Sequence, residues 1–201
     1  MNQKDIILAH EREFAARLAS RVIIKPKLSA WMIFIPVIFV FYFYDFSKYK
    51  KQRETFIDNW ILSRKRMLNE TSEALDEDWK PDMEALSRAA TDLPEKSKKT
   101  YMALLKVLDG HYTRLLKADA DTYPALVRSA YRGKKGDYLY YVNQLQDAEK
   151  ALNKILAPQL KKTSPNAGET ITKIETQSDK IRRREIDQFF QQPGSGDTKS
   201  S

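Results

Sequence analysis

Between Lys27 and Asp45 the chain runs for seventeen residues without a charge, LSAWMIFIPVIFVFYFY. Such a stretch has to be kept from water, and that constrains the fold more than any other feature. As a straight helix at about 1.5 Å per residue it covers about 25 Å, against about 30 Å of bilayer hydrocarbon. Trp31 lies near one end and Tyr42 and Tyr44 at the other, as an aromatic belt places them. Lys25, Lys27, Lys48, Lys50 and Lys51 flank the run and can reach lipid headgroups. The sequence therefore predicts a membrane segment over 28–45. Its embedded residues are Trp31, Ile33, Phe34, Pro36, Val37, Phe39, Phe41, Tyr42 and Tyr44. Pro36 divides the run into a kinked single span or a shallow hairpin. The single span is the expectation, because a hairpin must satisfy its turn backbone within lipid. No small-x-small cleavage site follows, so the segment is expected to remain in the mature protein.

Charge is distributed unevenly around this run. Residues 1–27 carry six bases and three acids, and residues 45–66 carry seven bases and three acids. Residues 67–95 hold two bases and nine acids, then residues 96–118 return to six bases and one acid. Basic excess beside an apolar run suits anionic headgroups, whereas a nucleic-acid binder carries a basic face through its folded domain. The Lys/Arg counts tie across the segment, five in 8–27 and five in 45–64, so orientation is not fixed. The expected localisation is a single-pass or monotopic membrane protein with its bulk in the cytoplasm.

The rest of the sequence predicts an all-α chain: a membrane-anchored helical bundle with long amphipathic helices. Glycine occurs six times and cysteine not at all, which excludes disulfides, zinc ribbons and iron–sulfur clusters. Apolar residues recur at helical spacing. Over residues 3–24 Ile7, Phe14, Leu18 and Val22 share a face, for a helix lying on a membrane or on the protein's own bundle. Phe46, Tyr49, Phe56, Trp60, Met67 and Leu75 form a stripe, interrupted by Arg53 and Arg64, on a helix reaching about Asp78. Shorter helices follow over about 81–92, 95–117, 122–132 and 137–156, with Pro81 and Pro124 in first turns. The organisation expected is 1–27 amphipathic helix, 28–45 membrane segment, 46–157 bundle, 158–168 linker, 169–191 amphipathic helix and 192–201 disordered tail.

Motifs that carry chemistry are sparse. His10 and His111 are the whole imidazole supply, and neither follows a Glu at the spacing of di-iron bundles. Asp109-Gly110-His111 reads as close helix packing or a kink. Gly133-Lys134-Lys135-Gly136 matches the GxxG loop of nucleic-acid-binding KH domains, yet has no strands near it. Lys180–Arg184, KIRRR, reads as a solvated face laced with ion pairs. Asp137–Tyr141 reads as tyrosines packed at a rim. No cofactor, metal or catalytic residue is expected. The expected partners are a lipid bilayer and a protein partner or second copy bound through helical faces. The function expected is a non-enzymatic scaffold or accessory subunit. The alternatives are a cofactor- or ligand-sensing bundle using the histidines, and a tethered nucleic-acid binder using Lys134, Lys135 and Arg182–Arg184.

Overall fold

A computed structural model of the chain describes residues 2–23, 49–90, 93–163 and 166–191. These residues form seven helices and no strand: α1 (Gln3–Val22), α2 (Tyr49–Asp76), α3 (Met83–Ala89), α4 (Glu95–Leu116), α5 (Tyr123–Ala130), α6 (Lys135–Thr163) and α7 (Ala167–Phe190). The helical spacing of apolar residues thus sets the fold class.

Helix ends have local causes. Asn2 accepts the Asp5 N–H at 2.8 Å, and Asp82 accepts that of Ala85 at 2.8 Å, each covering a donor that the first turn leaves open. Pro81 stands just outside α3 rather than in its first turn, whereas Pro124 does open α5 behind the Thr122 cap. At the C-termini of α2 and α5 the chain turns through Asp78 (φ 55) and Arg132 (φ 52). The Trp79 and Gly133 N–H groups then reach back to the Ala74 and Arg128 carbonyls at 3.0 and 2.8 Å. This is the Schellman closure of a helix, made here with non-glycine residues in the left-handed position.

Two local expectations change. α6 runs through Pro158 to Thr163, so only residues 164–166 separate it from α7 and the linker expected over 158–168 is much shorter. α4 passes through Gly110, where an added Cβ meets nothing within 4 Å, so the close packing expected of this glycine is not found.

The apolar stripes converge on two adjoining cores. The larger gathers Leu104, Leu105 and Leu108 of α4 with Val142, Leu152 and Leu156 of α6, Leu126 of α5 and Met67 of α2. The smaller joins Phe14, Leu18 and Val22 of α1 to Phe56 and Trp60 of α2 and to Ile174 and Ile181 of α7. α1 is antiparallel to α2. Glu11 meets Arg64, while Phe14, further along α1, stacks on Trp60, further back along α2. α1 is also antiparallel to α7, with Lys173 donating to the Val22 carbonyl at one end and Phe189 edge-on to His10 at the other. The Lys173 cation complements the negative end of the α1 dipole.

This packing corrects the expected localisation. Among the described residues no helix is long and apolar enough to cross a membrane, so a single-pass membrane protein is not supported, and neither is the membrane-anchored part of the fold. The physical reason lies in the flanks: one crossing between α1 and α2 would set them on opposite sides of a bilayer, yet they share a core. The α1 face of Ile7, Phe14, Leu18 and Val22 is likewise buried in the bundle and not laid on a membrane. Trp31, Ile33, Phe34, Pro36, Val37, Phe39, Phe41, Tyr42, Tyr44, Lys25, Lys27 and Lys48 lie outside the described residues, as does the 192–201 tail. Lys50 and Lys51 fall in the first turn of α2.

Candidate functional site

Where α1, α2, α6 and α7 meet, the core is charged. Glu149 of α6 sits at its centre with 4% of its side chain exposed. Arg182 of α7 approaches it bidentately, with both guanidinium contacts at 2.7 Å, and Arg64 of α2 donates to the same carboxylate at 2.6 Å. Arg64 then reaches Glu11 of α1 at 3.1 Å, donates to the Trp60 carbonyl at 3.1 Å and lies 4.2 Å above the Trp60 ring. Tyr112 of α4 completes the chain by donating to Glu11 at 2.8 Å. A second pair joins Arg17 of α1 to Glu185 of α7, with His10 Nε2 3.6 Å from the same carboxylate.

Burial alone would raise the Glu149 carboxyl. Arg182, and Arg64 after it, more than offset that and hold it below the usual carboxylate range. The same contacts raise the Arg182 guanidinium above its ordinary value despite burial, so both ions stay charged. Glu185 differs. Burial pushes it up to about 7, with Arg17 and Arg182 pulling only partly against that.

An aromatic layer adjoins the ions. His111 of α4 lies between two hydroxyls, Tyr131 at 2.8 Å from Nδ1 and Tyr123 at 3.1 Å from Nε2, and its ring stacks on Tyr141 at 3.9 Å. Tyr123 is in turn stacked on His10 at 3.5 Å. Burial, with His10 and Arg114 adding to it, holds His111 well below the usual imidazole range. Burial and Arg17 push His10 down to about 3. Both rings are therefore neutral at pH 7. Burial likewise raises the hydroxyls of Tyr123, Tyr131, Tyr138 and Tyr141 above the ordinary phenol range, so all four stay protonated.

His10, Glu11, Phe14, Tyr123, Tyr138 and Glu185 help enclose a cavity with about 30 Å³ of space for water-sized spheres. One water needs roughly 10–15 Å³, so the cavity suits two or three waters and not a macrocycle. A haem bridged by the two histidines does not fit these positions, since both His111 nitrogens are engaged and Tyr123 stands between the rings. Among the described residues no group of His, Cys, Asp and Glu is arranged to hold a metal.

The residues singled out in the sequence fall partly into this centre. His10, His111, Tyr138, Tyr141 and Arg182 converge there, and Tyr138 and Tyr141 are buried within the bundle, not at its rim. Lys134 lies in the short connection between α5 and α6, where Gly133 takes φ 71, and Lys135, the first residue of α6, pairs with Asp187 at 2.8 Å. Arg183 pairs with Asp179 on the outer face of α7 at 2.9 Å. The KIRRR run is thus divided, with Arg182 turned inward and Arg183 outward. The KH reading has no strand to rest on among the described residues.

Glu11, Arg17, Arg64, Glu149 and Glu185 carry the centre and were not expected there. A signal for them exists in the spacing. Arg64 lies four residues from both Trp60 and Leu68, Glu149 four from Leu145 and three from Leu152, and Glu185 four from both Ile181 and Phe189. A charge held inside an apolar stripe is a buried ion awaiting a partner. No known protein family, curated protein or solved structure matches the chain.

Proposed function

We propose that the chain is a non-enzymatic helical scaffold or accessory subunit that holds a partner protein against its helical faces. The supporting observation is the mutual pairing of the charged core: Glu11, Arg64, Glu149 and Arg182 form one chain across three neighbouring helices and α1, and Arg17 and Glu185 form another. On this reading the paired charges select one packing of the helices and give a body of defined shape. Its chemistry faces inward, and its outer faces are left for contact. Tyr140 (65% exposed) and Trp79 (39%) are the exposed large hydrophobic residues among those described, on α6 and after α2. Aromatic residues of this kind anchor protein interfaces.

The test places a photo-crosslinking residue at 140 or 79 in the full chain within its native cells. A discrete adduct with one protein, or with a second copy, is expected at one of the positions. It should weaken when the neighbouring exposed charges, Asp137 and Asp147 or Asp76 and Glu77, are reversed. A chain recovered as a lone monomer, with no adduct from either position, overturns the proposal.

A further inference from the structure

The charged core contains one carboxylate that is poorly compensated. Three carboxylates (Glu11, Glu149, Glu185) meet three guanidinium groups (Arg17, Arg64, Arg182), but not evenly. Arg64 and Arg182 both close on Glu149, and Arg64 also takes Glu11. Glu185, with 4% of its side chain exposed, is left with Arg17, which is itself 35% exposed and also 3.8 Å from Glu13 on the solvent side of α1. We propose that Arg17 and Glu185 form a proton-operated latch between α1 and α7: ionised Glu185 clamps Arg17, and protonated Glu185 releases it.

Both states have a place in the structure. In the clamped state the carboxylate accepts from Arg17 across the helix interface. On taking a proton Glu185 loses its attraction for the guanidinium. Arg17 can then turn to Glu13 and water, and the new carboxylic acid can donate to His10 Nε2, now 3.6 Å away. His10 is a ready acceptor because burial keeps its ring neutral. The titratable and charged groups around Glu185 are His10, Glu11 and Arg17 from α1, Arg64 from α2, Tyr123 from α5, Tyr138 and Tyr141 from α6 and Arg182 from α7, with Glu149 of α6 beyond Arg182. His111 stands behind Tyr123. Of these, the tyrosines stay protonated and Glu149 and Arg182 stay ionised through neutral pH. Glu185, raised to about 7 by burial, is the group that changes there. The cavity beside it, about 30 Å³, admits a water to carry the proton. The linkage has a definite sign. Arg17 stabilises the ionised carboxylate, so clamping strengthens as pH rises through about 7 and weakens as it falls.

Side-chain NMR of the full chain tests this. The Glu185 carboxyl carbon is expected to titrate with a midpoint near 7, and the Arg17 Nε signal to move with the same midpoint. In R17M, which removes a partly exposed cation and leaves Glu185 in place, the midpoint should rise by about one pH unit, tenfold in proton affinity. In E185Q the Arg17 signal should stay at its low-pH position across the range. R17M keeps the test open if E185Q does not fold. A Glu185 midpoint below about 5, near the ordinary carboxylate, overturns the latch. So does an Arg17 signal that ignores the titration, or a midpoint near 7 that survives in E185Q but vanishes in H10Q.

Discussion

Glu149→Gln removes one charge from the centre of the bundle and almost no volume, which makes it a sharp probe of the ion network. Three charge-assisted hydrogen bonds end on that carboxylate, at 2.6, 2.7 and 2.7 Å. With Gln in place, Arg64 keeps Glu11 at 3.1 Å, while Arg182 loses the one carboxylate with which it is paired among the described residues. An unpaired cation in such a site costs about 3–5 kcal/mol. A natural domain is stable by about 5–15 kcal/mol in all, so the variant should sit near the edge of folding. For a chain of this size 1 kcal/mol corresponds to about 2–4 °C, and the melting midpoint should fall by about 6–20 °C. Urea unfolding followed by tryptophan fluorescence reads it directly, because Trp60 is fully buried beneath Arg64. The Glu149 carboxyl lies below its ordinary value, so its share of stability is present above pH 4.5 and is lost as pH falls through the lowered value. The acid limb of the wild-type curve should therefore be steeper than that of E149Q. A loss under about 1 kcal/mol at neutral pH, with an unchanged urea slope, would mean that the site is wetted and that the cross-helix pairs do not set the packing.

Three further outcomes follow from single positions. Gly110→Ala should stabilise the protein by about 1 kcal/mol in chemical unfolding, because the glycine lies mid-helix with open space where a methyl would go. Arg132→Gly should stabilise it by up to about 1 kcal/mol by relieving the left-handed conformation at φ 52, and a loss would show that the Arg132 side chain does something the backbone does not record. His111 is buried neutral, so its contribution is present above its unfolded value of 6.5 and is lost as pH falls below it; in the E185Q background, stability measured from pH 7 to 5 should fall less in His111→Gln than with His111 intact.

The helices are legible in the sequence because each needs only a stripe and two ends. Leu104, Leu108 and Leu115 mark α4, expected over 95–117 and found at Glu95–Leu116. α6 is the exception, since Pro158 reads as a stop. A proline removes one ladder bond, but Leu156 and Leu160 on either side are buried, and that burial carries the helix on. The charged centre is less legible because a single sequence does not say which charges meet. Arg64 reads as a flaw in a stripe and Arg182 as one of several exposed bases. Each makes sense only once Glu149, 85 and 33 residues away, is brought between them. The 28–44 run lies outside the described residues, and its composition alone does not say whether the chain crosses a membrane, since that also depends on where the flanks are held, and the α1–α2 pairing is a tertiary fact.

That pairing leaves a question the ion network can answer: whether the charges hold the bundle together or select one arrangement of it. Replacing buried ion pairs by apolar residues of similar size is often neutral or stabilising. The combination R64M, E149L and R182M, with E11Q so that no carboxylate in the chain is orphaned, should therefore remain helical and at least as stable as E149Q. The apolar replacements can slide, whereas a bidentate Arg182–Glu149 contact at 2.7 Å fixes one rotation of α7 on α6. If the charges select the arrangement, the quadruple variant keeps its helix content but loses dispersion of its amide spectrum and hydrogen-exchange protection in α1, whose Glu11 ties it to the centre. If it instead keeps a dispersed spectrum and full protection, the jigsaw of Phe14, Trp60 and Ile181 is enough to specify the packing, and the network is a tolerated feature of the core and not its organiser.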